Sequence, residues 1–243
     1  MAQLSKESIE FMADLWKNNS KLWFDANRGR YDEYVRLPLK ALAESLAVPV
    51  TSILPEFSGK AKVSRINNDI RFAPNKPLYK EHMWVSFGGM MPEEADFFVG
   101  ISGSGWSAGA GIGAPKREPL EIWRVNLIRF FPRWQRYRTA LEESCGLRIY
   151  AENPYAKPLF PTAPQPLQQL LQARSTWLIT GPHQEFGADP HRMAFLDLCR
   201  ILPAYFFMVI PPDQLEQRLM ELGTTIKPPD GEIEKLWEMA AKS

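Results

Sequence analysis

F-F-V-G-I-S-G-S-G-W-S-A-G-A-G-I, residues 97–112, decides the fold class. The run is rich in glycine, yet it is too apolar and too aromatic at its borders to be a linker. It reads as strands of small residues, a texture that lets another backbone or a bulky side chain approach closely. Working upstream, Met83–Phe87 and Lys62–Phe72 also show strand-like patterning. Before them the period changes to that of helices. Ser5 is placed to cap a first helix that carries Ile9, Met12, Leu15 and Trp16 on one face. Asn18-Asn19-Ser20 breaks it, and Ser20 caps a second helix running towards Arg36. Pro38 is expected to end or kink that helix, because it lacks an amide donor and restricts Leu37. Leu39–Leu46 adds a helical turn or two.

Downstream, Glu118–Arg129 returns to helical spacing, and Pro132 opens the next helix in its first turn, where a missing donor does no harm. Arg148–Pro166 reads as a proline-rich connection, and Trp177-Leu178-Ile179 as a short apolar strand. Helices follow around Met193–Phe207 and Pro212–Leu222, with an amphipathic one over Asp230–Lys242. Helices, then strands, then helices predict an α+β fold: an antiparallel sheet meander flanked by N-terminal and C-terminal helices. The expected organisation is one domain over 1–210, with a helical extension over 211–243 packed on it.

The bulk composition excludes several classes. Of 243 residues, 45% are hydrophobic and 23% charged, the mixture of a folded domain rather than a disordered chain. Twenty-nine basic against 28 acidic residues give a formal net charge of +1, so an anion site must be a local patch. Cys145 and Cys199 form no CxxC pair, and the charged N-terminus lacks a signal peptide's apolar stretch. The longest apolar run, Ile201–Ile210, is about half of the roughly 20 residues a membrane span needs. These features predict a soluble cytoplasmic protein with reduced thiols. The sequence names no cofactor.

The most distinctive segment is K-V-S-R-I-N-N-D-I-R-F-A-P-N-K-P-L-Y-K, residues 62–80. Read as a strand, it sets Arg65, Asn67, Asp69 and Arg71 on one face and Ile66, Asn68, Ile70 and Phe72 on the other. Lys76, Tyr79 and Lys80 follow at once. Guanidinium forks suit phosphate or carboxylate, and lysine adds a flexible point charge. Asp69 either holds the arginines in place, or serves as a general base, or ligates a metal. The bland alternative is a solvated sheet face with an ion-pair ladder. A second segment, N-N-S-K-L-W-F-D-A-N-R-G-R-Y-D-E-Y, residues 18–34, brings Asn27, Arg30, Tyr31 and Tyr34 near one another at helical spacing. Trp23 and Phe24 anchor it in the core.

Together these two segments resemble the domain-of-unknown-function family 2461. The later A-G-I-G-A-P and the stretch from Tyr155 to Phe206 are similar to that family's downstream pattern, so the likeness spans roughly Ser8–Met208. The resemblance implies motif positions at Trp23, Asn27, Arg28, Tyr31, Arg65, Asn67, Asp69, Arg71, Phe72, Lys76, Tyr79 and Lys80. It implies no activity.

Three lookalikes fail on spacing. Gly105-Trp106-Ser107-Ala108-Gly109 matches G-x-S-x-G, but a nucleophile elbow needs a helix directly after the serine, and Ala110–Pro115 will not start one. Ser107 would also need His183 or His191 as its base. Gly111–Lys116 lacks the spacing of a phosphate loop. His183, Glu185, Asp189 and His191 share one loop without a metal-ligand pattern, and Asp189 reads instead as the cap of the helix after Pro190.

Two functions are therefore expected to compete. In one, Arg65, Arg71, Lys76 and Lys80 hold an anionic small molecule while Asn67 and Tyr79, with Asn27, Arg28 and Tyr31 nearby, orient it. If chemistry occurs, Asp69 is the candidate catalytic group, and transfer or hydrolysis at a phosphoryl-like centre fits best. In the other, the same face docks an acidic protein segment. Nucleic acid is a less favoured partner, given the neutral charge balance.

Overall fold

The computed structural model describes residues 2–57, 60–71, 75–87, 95–113 and 117–242. Alternating side chains build its centre. Strands β1 (Lys62–Val63), β2 (His82–Ser86), β3 (Asp96–Ser102), β4 (Gly105–Ile112), β5 (Arg148–Glu152) and β6 (Ser175–Ile179) form one sheet, ordered β1-β2-β3-β4-β6-β5 and antiparallel throughout. Met83, Val85, Phe97, Val99, Ile101, Trp106, Ala108, Ala110 and Leu178 point to one buried face. Trp84, Ser86, Phe98, Gly100, Ser107, Trp177 and Ile179 take the other, more accessible face.

The buried face is covered by α8 (Pro190–Val209), which lies along β3 and β4, and by α4 (Leu37–Ile53), which reaches β2. The N-terminal helices α1 (Lys6–Lys17), α2 (Lys21–Ala26) and α3 (Arg28–Tyr31) lead into α4. α5 (Arg117–Arg129), α6 (Phe131–Cys145) and α7 (Gln165–Gln172) separate β4 from β6, with β5 between α6 and α7. α9 (Leu215–Glu221) and α10 (Gly231–Ala241) pack on α8, and α10 also meets α6 through buried Ile233, Leu236 and Trp237. The α+β class with an antiparallel sheet is as the sequence order predicts. No helix among the described residues is long and apolar enough to cross a membrane.

Four local expectations change. Pro38 does not end its helix. A π-helical turn over Asp32–Arg36 carries the chain into α4, where Pro38 sits in the first turn, the position a proline tolerates. The helix then continues through Pro49 because Leu39, Leu42, Leu46, Val50 and Ile53 keep one face buried. Within Arg148–Pro166, R-I-Y-A-E forms β5, an edge strand with exposed Arg148, Tyr150 and Glu152 alternating with partly buried Ile149 and Ala151. Gln165–Gln172 forms α7 on its buried Leu167, Leu170 and Leu171. Because β6 inserts between β4 and β5, the sheet is not a simple meander.

The strand expected over Lys62–Phe72 is the largest change. Regular pairing ends at Val63, and beyond it only an isolated bridge joins Asn67 to Tyr79. Around that bridge the Asn68 N–H donates to the Leu78 carbonyl and the Lys80 N–H to the Ile66 carbonyl, and among the described residues the ladder goes no further. The side chain of Asn68 fills the gap instead, donating to the carbonyls of Pro77 at 2.9 Å and Tyr79 at 3.2 Å. Ile66 is buried as an inward residue should be, whereas Ile70 is exposed. Phe72 lies outside the described residues, as do the last three residues of the Gly111–Lys116 run.

Candidate functional site

The two sequence segments meet in space. Asn19 joins them: its Oδ1 accepts from the Tyr79 N–H and its Nδ2 donates to the Tyr79 carbonyl, both at 2.9 Å. The Tyr79 ring, 5% exposed, stacks on Phe24 with centroids 4.2 Å apart, and Phe24 meets Tyr31, which meets Phe11. Tyr31 and Tyr79 are thus ring-packed core residues, and burial raises the Tyr31 phenol pKa. Asn27 caps α2, donating to the Trp23 carbonyl at 2.9 Å and accepting from Arg30. Arg28 pairs with Asp25 at 2.7 Å and lies over the Phe24 ring.

The remaining segment residues fall into two groups. Asp69 and Arg71 form an exposed bidentate pair, with Nε to Oδ1 at 2.9 Å and Nη2 to Oδ2 at 2.6 Å. That bond, with the Arg71 N–H behind it, holds the Asp69 carboxyl below its ordinary pKa, and exposed Lys76 adds a smaller effect of the same sign. Asn67, also exposed, forms the bridge to Tyr79. Lys80 and Arg65 make the second group. Lys80 is half-buried with Nζ 4.5 Å from the centre of the Trp84 ring. Burial first, and the Arg65 charge second, push its pKa down.

The Trp84 ring that Lys80 covers lines a cleft of about 690 Å³ over the open face of the sheet, with Glu81 and His82 beside it. Strand register draws its floor. Trp84 lies beside Gly100 and Ser107; Ser86 beside Phe98, Gly109, Ile179 and Arg148; Asp96 beside Gly111, Trp177 and Tyr150. Glycine is required at two of these positions. A β-carbon on Gly111 would fall 2.0 Å from Trp177 Cε3, and one on Gly109 would fall 2.6 Å from Phe98 Cζ. The end of α1 adds Trp16 and Lys17 to the cleft wall. His82, at the Lys80 end, is exposed with its ring tilted against Trp84 at 5.3 Å, and desolvation by its neighbours lowers its pKa, with Glu81 opposing and Lys80 assisting.

Other candidates occupy different surroundings. Ser107 points into the cleft, whereas its neighbour Trp106 points inward and packs on the His183 ring at 4.4 Å. His183 Nε2 lies 2.6 Å from Asp197 Oδ2 in α8, so serine and histidine stand on opposite sides of the sheet. Asp189 caps α8 by accepting from the Arg192 N–H at 2.9 Å, as its position predicts. No group of three or more His, Cys, Asp or Glu that could hold a metal occurs among the described residues. Burial pushes the Cys145 pKa up to about 12 and that of Cys199 higher still, so both thiols stay protonated.

With the two segments joined, the comparison with known families has a structural meaning. The family described as conserved hypothetical protein, DUF2461, matches residues 7–194. The chain belongs to the DUF2461 family. Comparison with curated proteins and with solved structures gives no match. In this DUF2461 protein, part of the family-like pattern is plainly architectural, since Asn27, Tyr31 and Tyr79 hold helices and loop together. The cleft residues Trp84, Phe98, Tyr150, Glu152 and Trp177 escaped sequence reasoning. A signal did exist, in the polar and aromatic alternation of R-I-Y-A-E and H-M-W-V-S. It names a face, however, and only sheet order brings β2 and β5 to the two sides of one cleft.

Proposed function

We propose that this protein binds a small phosphate- or carboxylate-bearing ligand, with the anion at Lys80 and Arg65 and the body in the sheet cleft. One observation carries this reading: the Lys80 ammonium, partly desolvated and crowded by a second cation, sits over a cleft-wall aromatic. Two neighbouring cations repel, and an anion between them relieves the repulsion while gaining charge-assisted hydrogen bonds. A cleft lined by aromatics and a few polar groups has the volume and character of small-molecule sites. Asp69, with both oxygens committed to Arg71, is better suited to positioning that guanidinium than to taking a proton. Arg71, Lys76 and Asn67 then form an outer fringe that guides an anion inward.

The test is a thermal-shift screen of wild type and Lys80→Ala against inorganic phosphate, sugar phosphates, nucleotides and carboxylic acids. A ligand at a hundred times its Kd adds about 2.7 kcal/mol of stability. A shift in wild type that Lys80→Ala loses supports the site. A shift retained by Lys80→Ala overturns it. Salt-sensitive binding of acidic peptides or nucleic acid, with no small-molecule shift, replaces it with the docking reading.

A further inference from the structure

The cleft has two aromatic banks with a low floor between them. Trp84 stands on β2 and Trp177 on β6, with β3 and β4 between. At roughly 4.8 Å per strand and 3.4 Å per residue, three strand steps and a four-residue offset along the strands put the two tryptophan positions about 20 Å apart, more than one ring can bridge. Beside Trp84 the floor is kept low by Gly100 and Ser107, and halfway to Trp177 the Phe98 ring lies over Gly109. The Trp177 six-membered ring reaches along β4 from Gly111 to Gly113, where a β-carbon would be 3.5 Å from Cζ2. Phe98 meets its edge at 6.0 Å. Trp84 and Trp177 both remain partly accessible, so each bank presents an aromatic surface to the cleft.

The polar groups at the Trp177 bank differ from those at Lys80. Glu152 and Asp96 can only accept hydrogen bonds when ionised, and Arg148 can only donate. A ligand that satisfies such a mixture must itself donate and accept at many points, as hydroxyl groups do. A phosphate or carboxylate at this bank would face Glu152 and Asp96, so the anion belongs at the Lys80 end. From these observations we infer that the ligand is a short acidic oligosaccharide. It lies across the sheet with one ring on Trp84, its anionic substituent at Lys80, and a further hydroxyl-rich ring on Trp177. The anionic end rests on the function proposed above; the need for at least two rings rests on the cleft alone.

The experiment titrates the full chain, by intrinsic tryptophan fluorescence and calorimetry, with galacturonic acid and its oligomers of two to six units. Maltohexaose, AMP and inorganic phosphate serve as comparison probes. Expected is an affinity at least tenfold higher for the hexamer than for the monomer. Trp177→Ala abolishes that gain, and Trp177→Phe restores part of it. Gly111→Ala, which drives the indole off the floor without removing it, gives the same loss; circular dichroism checks that each variant is folded. Equal affinity for monomer and hexamer overturns the inference, as does a hexamer affinity indifferent to Trp177→Ala and Gly111→Ala, or binding of AMP without any oligosaccharide. If length dependence and the Trp177 effect hold while Lys80→Ala changes nothing, or maltohexaose binds as well as the acidic oligomers, the anion site fails and the multi-ring cleft stands.

Discussion

Trp237 Nε1 donates a 2.8 Å hydrogen bond to the carbonyl of Cys199. That carbonyl lies four residues before Pro203, inside α8, where proline has no N–H to complete the helical ladder. The indole of α10 thus supplies the donor that α8 lacks, and a buried backbone oxygen is satisfied by a helix 38 residues away. Trp237→Phe keeps a large ring but removes the donor. The unsatisfied carbonyl costs about 1–3 kcal/mol. Chemical denaturation should show that loss, and Pro203→Ala in the same background should recover part of it by restoring a main-chain donor.

Asn19 joins the N-terminal helices to the charged loop through both main-chain groups of Tyr79. Asn19→Ala strips the Tyr79 N–H of its partner and leaves the Tyr79 carbonyl with the longer bond from Asn68. A stability loss of about 1–2 kcal/mol is expected. Hydrogen exchange should show the Tyr79 amide losing protection while the amides of α8 keep theirs.

Asp197 is buried between His183 at 2.6 Å and Arg200 at 2.8 Å, and Arg200 continues to Glu232 on α10 at 3.0 Å. Removing the carboxylate in Asp197→Ala leaves a half-buried guanidinium with one exposed partner, a change that costs about 3–5 kcal/mol. Glu232→Ala removes only the exposed arm and should cost less than about 1 kcal/mol. Equal losses in the two variants would show that Asp197 does not anchor the chain.

His82 and His191, exposed and half-buried respectively, both have pKa values held below the ordinary histidine value, mainly by desolvation. The unfolded chain therefore binds protons more readily than the native one, and stability rises with pH across the interval from the lowered values up to about 6.5. Acidification through that interval should lower Tm before the carboxylates titrate. The double variant His82→Gln, His191→Gln should flatten the Tm profile between about pH 5 and 7.

How much of this was legible in the sequence depends on the range of the interaction. The caps at Ser20, Asp189 and Asp230 were local: each accepts from an N–H three residues on, so spacing alone located Ser20 and Asp189. The strands β2 and β3 were legible because a half-buried strand repeats every two residues, β4 through its small residues and β6 as a short apolar run. β5 was not, because the prolines after Glu152 gave the whole stretch the texture of a connection. The charged row at Arg65–Arg71 was legible as a cluster, yet its departure from a strand was not, since the side chain of Asn68, rather than a continued ladder, ties it to Pro77 and Tyr79.

The sequence by itself determined the α+β class, the family, most helix starts and the location of the charged segment, all consequences of residues acting within a few positions of one another. Tertiary structure alone decided that Tyr31 and Tyr79 turn into the core, that Asp69 is committed to Arg71, and that Lys80 reaches Trp84. It also decided that β6 inserts beside β4, which lays Trp177 over Gly111 and creates the second bank of the cleft. Strand order is set by the packing free energy of whole faces against α8 and α4, a quantity spread over the entire chain and readable in no single segment.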